Sequence, residues 1–237
     1  MAEQLQPGVW FLDIGLVRPV NTNSYLVDDG TGTLIDTGLW VNCPSLRSEL
    51  AAAGYERSDI DRVLLTHYDL DHTTGLGRFA DEFDGPVYIG RRDYDLATGA
   101  FDPPLVHHKG LFHRLVRAFF PISASDLRPV EDGERIGEFT VFETPGHNPG
   151  HVAYVHDDDL AFVGDLVWER DGRLTPPVWL DSYDVDELRA SIVEFGSQAQ
   201  PFDVLGVGHG TPITVAFSTG ERINRGQIEG RVVNGPS

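Results

Sequence analysis

Four short apolar runs in this chain end in a histidine or an aspartate, three of them beside glycine. They are "DRVLLTH" at His67, "FTVFETPGH" at His147, "LAFVGD" at Asp165 and "VLGVGHG" at His209. Apolar runs of this length between turn formers read as buried strands. Four strand ends that each supply a ligand-type side chain form one coherent site, and chance is a poor explanation for the set. Glycine at such an end lets the backbone turn tightly and approach an ion closely.

The first run continues into "LLTHYDLDHTTG", which sets His67, Asp69, Asp71 and His72 within six residues. A strand–loop–helix junction lets side chains at alternate positions converge on one point. Imidazole and carboxylate are ligands for a borderline or hard divalent metal. A plainer reading makes these residues turn formers, with Asp71 or Thr73 capping a helix that begins near Thr74. The other three strand ends favour metal.

Around these motifs, strands alternate with helices. "TNSYLVDDGTGTLIDTG" reads as two strands about an Asp-Gly turn, residues 44–55 as a helix, "TTGLGRFADEF" as a helix and "GPVYIG" as a strand. Strands at "RIGEFTVFETPG", "HVAYVHDD" and "LAFVGD" follow, then an amphipathic helix "DVDELRASIVEFGSQ" and the strand "FDVLGVGHG". Hairpins mixed with strand–helix units favour an α/β fold of two mixed β-sheets covered by helices, a four-layer αββα sandwich being one solution. With 237 residues, 41% of them hydrophobic, the chain suits one large domain over residues 1–237. A helical insertion is expected around residues 101–121. There Leu111, Phe112, Leu115, Val116 and Phe119 recur at helical spacing, with Lys109, Arg114 and Arg117 on the other face. The apolar face is expected to pack on the core, or the helix to serve as a lid or a homodimer contact.

The formal net charge is −19, and among the 18 basic residues only Lys109 is a lysine. Self-repulsion of this kind costs stability at ordinary ionic strength and is a lever halophiles use. We read it as adaptation to a high-salt cytoplasm, although a GC-rich genome also favours arginine over lysine. A polyanion is repelled where there is no basic patch, so nucleic acid is not an expected partner. No apolar run is long enough to span a bilayer. The opening "MAEQLQPGVWFLDIG" lacks the regions of a signal peptide, so none is expected. The one cysteine, Cys43, cannot form an internal disulfide, and a reducing cytoplasm is the default.

Taken in order, the motifs resemble those of the metallo-β-lactamase fold superfamily: Asp36 in "LIDTG", the cluster "THYDLDH", His147 in "TPGHNPGH", Asp165 in "VGDLVW" and His209 in "GHG". The resemblance covers residues 22–212. It implies the αββα sandwich, a site at the seam between the two halves, and two divalent metal ions. By position it implies His67, Asp69 and His147 at a first metal site, Asp71, His72 and His209 at a second, and Asp165 bridging. It also implies a structural role for Asp36 and a buried, hydrogen-bonding, non-ligand role for His151. The superfamily cluster usually reads His-x-His-x-Asp-His, and Asp69 stands here for its second histidine. The added hard oxygen shifts preference from zinc alone toward iron or manganese. Aspartate is shorter than histidine, so a weak or empty first site is expected if Asp69 falls short of the ion. Flavodiiron proteins of the superfamily carry a glutamate there, but this chain lacks their flavin domain.

Two such ions would lower the pKa of a bridging water and polarise the bond to be attacked, so hydrolysis by a metal-bound hydroxide is the expected reaction. Asp71 is the expected catalytic residue, orienting that hydroxide. "TPGHNPGH" looks like its counterpart in glyoxalase-II-type thioesterases and acyl-homoserine lactonases, which implies a small ester, thioester or lactone substrate. "THYDLDHTTGL" is similar to the ribonuclease Z branch, so a phosphodiesterase or tRNA-processing nuclease is an alternative. A non-catalytic or redox di-iron protein is another. Trp168, Trp179 and Tyr183 are expected to wall the pocket or to pack in the core. His107, His108, His113 and His156 lack the strand-end setting and are expected at the surface or along a helix.

Overall fold

A computed structural model describes residues 2–14, 22–79, 83–122, 124, 126–199 and 201–214. One sheet runs in chain order through β1 (Glu3–Gln6), β2 (Val9–Asp13), β3 (Asn23–Asp28), β4 (Gly32–Ile35), β5 (Arg62–Leu65), β6 (Val87–Gly90) and β7 (Leu127–Val130). It is antiparallel from β1 to β4 and parallel from β4 to β7. The second sheet is built from β8 (Arg135–Ile136), β9 (Phe139–Glu143), β10 (Val152–His156), β11 (Leu160–Gly164), β14 (Val204–Val207) and β15 (Ile213–Thr214), in the order β15-β14-β11-β10-β9-β8. Strands β11 and β14 pair parallel, and the other pairs are antiparallel. A small hairpin joins β12 (Trp168–Arg170) to β13 (Arg173–Thr175).

Alternate residues of one strand enter different apolar layers, and this builds the sandwich. Val63 and Leu65 of β5 pack with Leu46 and Leu50 of α1 (Cys43–Ala52), Phe79 of α3 (Leu76–Phe79), Leu96 of α4 (Arg91–Thr98) and Val116 of α5 (His108–Phe119). Leu64, between them, faces Phe139, Val152 and Phe162 of the other sheet. In β11, Leu160 and Phe162 join this middle layer, while Ala161 and Val163 face Leu188, Ile192 and Phe195 of α6 (Val185–Gln198). Three apolar layers between helices, sheet, sheet and helix give the expected four-layer αββα arrangement. The Asp184 carboxylate caps α6 by accepting from the backbone N–H groups of Asp186 and Glu187.

The sheets are tied together at one end. Val152 N–H donates to Thr66 O at 2.9 Å, Asn23 N–H to Gly208 O at 2.8 Å, and the Tyr154 hydroxyl to Leu65 O at 3.0 Å. Strands β5, β9, β11 and β14 deliver their C-terminal ends to this seam.

Several local readings change. Within the helix expected over "TTGLGRFADEF" the described residues hold α3, a separate turn α2 (Leu70–Thr73) lies ahead of it, and residues 80–82 lie outside the described residues. The break falls at Gly75, whose N–H donates to Gly38 O at 2.7 Å and whose Cα sits against the Thr37 carbonyl, leaving no room for a side chain. Asp69 takes the N-cap position of α2, so Asp71 and Thr73 lie within that turn and do not cap a later helix. Strands β1, β2 and β7 and helix α4 have no counterpart in the sequence reading.

Helix α5 exposes most of its expected apolar face and keeps only Val116 of that face inward. Lys109, His113 and Val116 are buried, while Leu111, Phe112, Leu115 and Phe119 are exposed. Arg114 and Arg117, expected on the polar outer face with Lys109, are partly buried and both pair with Asp102, at 3.0 and 2.6 Å. The first two turns of the helix cover a polar cluster with Lys109 and His113, and Val116 beyond them joins the apolar layer. His113 and His156, expected at the surface or along a helix, are both buried; His113 lies on α5, and His156 ends β10 with its Nε2 3.2 Å from Asp29. Among the described residues no helix is long and apolar enough to cross a membrane.

Candidate metal centre

The chain leaves β5 at Leu65 and places His67 in the loop beyond it. Asp69 opens α2, and Asp71 and His72 lie in its only turn. The turn after β9 carries His147, the residue after β11 is Asp165, and His209 follows β14. The structure brings all seven together at the seam. Ligand atoms of His67, Asp69 and His147 lie within 4.8 Å of one another, as do those of Asp71, His72 and His209, and those of His67, His72 and Asp165. Asp165 faces both ends of the cluster: its carboxylate is 3.3 Å from His209 Nε2, 3.5 Å from His72 Nε2 and 3.6 Å from His147 Nε2. Gly208 makes this approach possible, because a Cβ there would collide with Asp165 Oδ1 and the His72 ring.

Asp36 orients two of the histidines. Its Oδ2 accepts the Nδ1–H of His72 at 2.8 Å and the Thr66 hydroxyl at 2.7 Å, and its Oδ1 accepts the Thr66 N–H at 2.8 Å. Since the Thr66 hydroxyl donates to Asp36, its oxygen is left to accept the Nδ1–H of His67 at 3.0 Å. Both histidines therefore turn Nε2 into the site. His151 does not: Nδ1 bonds the Thr144 hydroxyl at 2.7 Å and Nε2 accepts the Asp165 N–H at 3.1 Å. Burial and the His67 charge hold the His151 pKa well below its ordinary value.

The electrostatics call for positive charge. Burial alone would lower the His72 pKa, but Asp36, Asp71 and Asp165 outweigh it and raise it to about 9. Burial is likewise outweighed at His209, where Asp165 and Asp71 raise the pKa to about 11. Burial would raise Asp71, yet His72 and His209 draw it down to about 2. Asp165 is also held well below the carboxylate range, against its burial, by His209 and His72. His67 goes the other way: burial and the His72 charge lower it to about 4, so it is a neutral ligand-type nitrogen at physiological pH.

The buried atoms at this centre with no hydrogen-bond partner include His67 Nε2, His72 Nε2 and Asp165 Oδ1, which face one another. An orphaned buried polar atom costs about 1–3 kcal/mol, so three aimed into one space fit a cation. The Asp69 end differs. Its Oδ1 accepts from His113 Nε2 at 2.7 Å and Asn148 Nδ2 at 2.9 Å, and its Oδ2 lies 2.8 Å from Lys109 Nζ and 3.1 Å from His147 Nε2. Against its burial, Lys109 and His67 hold this carboxyl well below its usual range. Three protein donors, His113, Asn148 and Lys109, already hold the Asp69 carboxylate. The centre fits an ion at the Asp71, His72, His209 and Asp165 end, and does not present Asp69 free to hold another.

Lys109, His113 and Asn148 are site residues that the sequence reading missed. One signal was available: Lys109, His113 and Val116 recur at helical spacing on one face. The Thr22 hydroxyl, which donates to Asp71 Oδ2 at 3.1 Å, had none. Of the aromatic residues after Asp165, Trp168 lies beside His209 with ring centroids 5.1 Å apart. The Tyr183 hydroxyl donates to His113 Nδ1 at 2.7 Å, and Trp179 stands exposed against His108. His107 is partly buried and caps α5 by accepting the Gly110 N–H.

The chain is similar to several known proteins. The chain is 28% identical over 181 residues to the probable metallo-hydrolase YybB of Bacillus subtilis, covering 74% of each. It is 30% identical over 147 residues to a hydroxyacylglutathione hydrolase of Halorhodospira halophila, covering 62% of this chain and 43% of that one. The solved structure of TTHA1623 in a di-iron-bound form superposes with a TM-score of 0.62 at 28% identity, covering 84% of this chain and 93% of that one. The signature of the Metallo-beta-lactamase superfamily matches residues 17–222. With that match spanning most of its length and the αββα layers in place, the chain belongs to the metallo-beta-lactamase superfamily.

Proposed function

We propose that this enzyme is a metal-dependent hydrolase of a small ester, thioester or lactone. One observation carries the metal part: His67 Nε2, His72 Nε2 and Asp165 Oδ1 are buried, unpartnered and aimed into the same space. Asp71, His72, His209 and Asp165 are the residues that would hold a divalent ion. Mixed imidazole and carboxylate donors suit zinc, iron or manganese, and TTHA1623 is known in a di-iron form. An ion held there would acidify a coordinated water and polarise the bond under attack. Asp71, ionised and held by the Thr22 hydroxyl, would help hold the ion and orient a water bound there by accepting its hydrogen bond. Asp36 holds the His72 and His67 rings in the tautomer that offers Nε2.

The substrate reading rests on the likeness to a hydroxyacylglutathione hydrolase and on charge. A chain of net charge −19 repels a polyanion, and both arginines of α5 are engaged by the Asp102 carboxylate. The same charge supports a working place in a high-salt cytoplasm, tested by whether thermal stability rises with KCl. Chromogenic esters, thioesters and lactones assayed with zinc, iron or manganese test the function. Turnover that disappears in Asp165→Ala supports it. Silence on all three classes, with turnover of bis-p-nitrophenyl phosphate, would move the assignment to a phosphodiesterase.

A further inference from the structure

We propose that the ammonium of Lys109 permanently occupies the first metal position, so that the protein holds one divalent ion per chain. The inference rests on the metal reading above. Lys109 Nζ lies 2.8 Å from Asp69 Oδ2 and 3.1 Å from His147 Nε2, two of the three candidate ligands at that end. It also donates to Asp181 O at 2.7 Å, so the three N–H groups of the ammonium each have an acceptor. The residue is 4% exposed, an unusual burial for a lysine, and its carboxylate partner is 6% exposed.

The setting is built around it. His113, one turn along α5, donates to the other oxygen of Asp69 at 2.7 Å and is itself backed by Tyr183. Gly110 presses against the Pro103 ring, where a Cβ would not fit. Helix α5 is therefore pinned at both sides of the lysine. In a chain that uses arginine at every other basic position, this one carries a lysine. A compact ammonium suits these closely set acceptors, and a planar guanidinium would not. Charge explains the aspartate in the middle of the cluster as well: a neutral histidine at position 69 would leave the buried ammonium only the more distant, half-exposed Asp181 carboxylate at 4.0 Å as counter-ion.

Elemental analysis and calorimetric titration with zinc and with manganese test this on the full chain. One ion per chain is expected for the wild type. Lys109→Met should raise the count to two, and the Asp69→His/Lys109→Met double variant should do the same if the single variant folds poorly. Acylation by an amine-reactive ester, read on the peptide that carries Lys109, gives a second readout. The metal-loaded wild type should be protected there and should label fully in urea. Two ions in the wild type, a double variant that stays at one, or a lysine that labels in the loaded protein would overturn the proposal. No ion in the wild type would overturn it together with the metal reading.

Discussion

Asp36 Oδ2 accepts the Nδ1–H of His72 at 2.8 Å and, through the Thr66 hydroxyl, governs His67 as well. One carboxylate thus sets the direction of two ring nitrogens. All three groups that face it are donors. An amide in its place must turn its NH₂ toward at least one of them. Asp36→Asn should therefore weaken ion binding by roughly 10–100-fold, the usual cost of losing the partner that orients a ligand histidine. Asp36 has φ 55, a left-handed conformation that asparagine also tolerates, so backbone strain does not confound the test. Isothermal titration with zinc checks it, and unchanged affinity would show that the orientation is set elsewhere.

The Asp69–Lys109 pair makes a stability prediction independent of metal content. Both groups are buried, so removing one leaves the other charged and desolvated. Asp69→Asn should cost about 3–5 kcal/mol in urea unfolding of the chelated protein. The double variant Asp69→Asn/Lys109→Met should recover most of that loss, because it removes both charges together. Additive losses in the double-mutant cycle would mean that the pair is not coupled as its 2.8 Å separation requires.

What the sequence makes legible here is local. Each of the strand ends at His67, His147, Asp165 and His209 carries its own pattern of apolar run and turn, and the fold needed only to collect them. The layers follow for the same reason: Val63, Leu64 and Leu65 read as a buried strand whichever neighbours they meet. Lys109 is different. Its partners Asp69 and His147 lie in other segments, and its helix has an apolar stripe that suggests the opposite face for burial. Hydrophobic periodicity assumes that a helix packs on an apolar core, and the first two turns of α5 pack on charges. Strands β1 and β2 and helix α4 escape for another reason. Their burial comes from neighbours across the sheet and from α5, which no window of their own residues contains.

The inward face of α5 can be read directly. Leu115, 52% exposed, and Val116, 2% exposed, are adjacent in sequence and about 100° apart around the helix, one turned outward and the other inward. Leu115→Ala should change unfolding free energy by no more than about 0.5 kcal/mol. Val116→Ala should cost roughly 1.5–3 kcal/mol, although it deletes the smaller side chain. Urea denaturation ranks them, and a loss at Leu115 as large as that at Val116 would restore the orientation expected from periodicity, which buries both.

The site's pH behaviour follows from the two histidines that its carboxylates hold protonated. His72, raised from 6.5 to about 9, and His209, raised to about 11, must both be neutral to bind an ion. Near pH 7 each ion that enters expels a proton from each of them. Ion affinity should therefore climb with pH, by about two powers of ten per pH unit toward pH 9 and by about one from there toward pH 11. The chelated protein carries the opposite sign. Stabilisation from a raised histidine is complete below the unfolded value of about 6.5 and is lost as pH rises through the folded value. Melting temperatures of the chelated form should thus fall as the pH rises from about 7 through 9, while those of the loaded form should fall less over the same range. Proton release into weakly buffered solution, followed with an indicator dye as zinc is added, is the direct measurement. Uptake of zinc with no proton release would show that both imidazoles are already neutral and that the carboxylates around them are not charged as described.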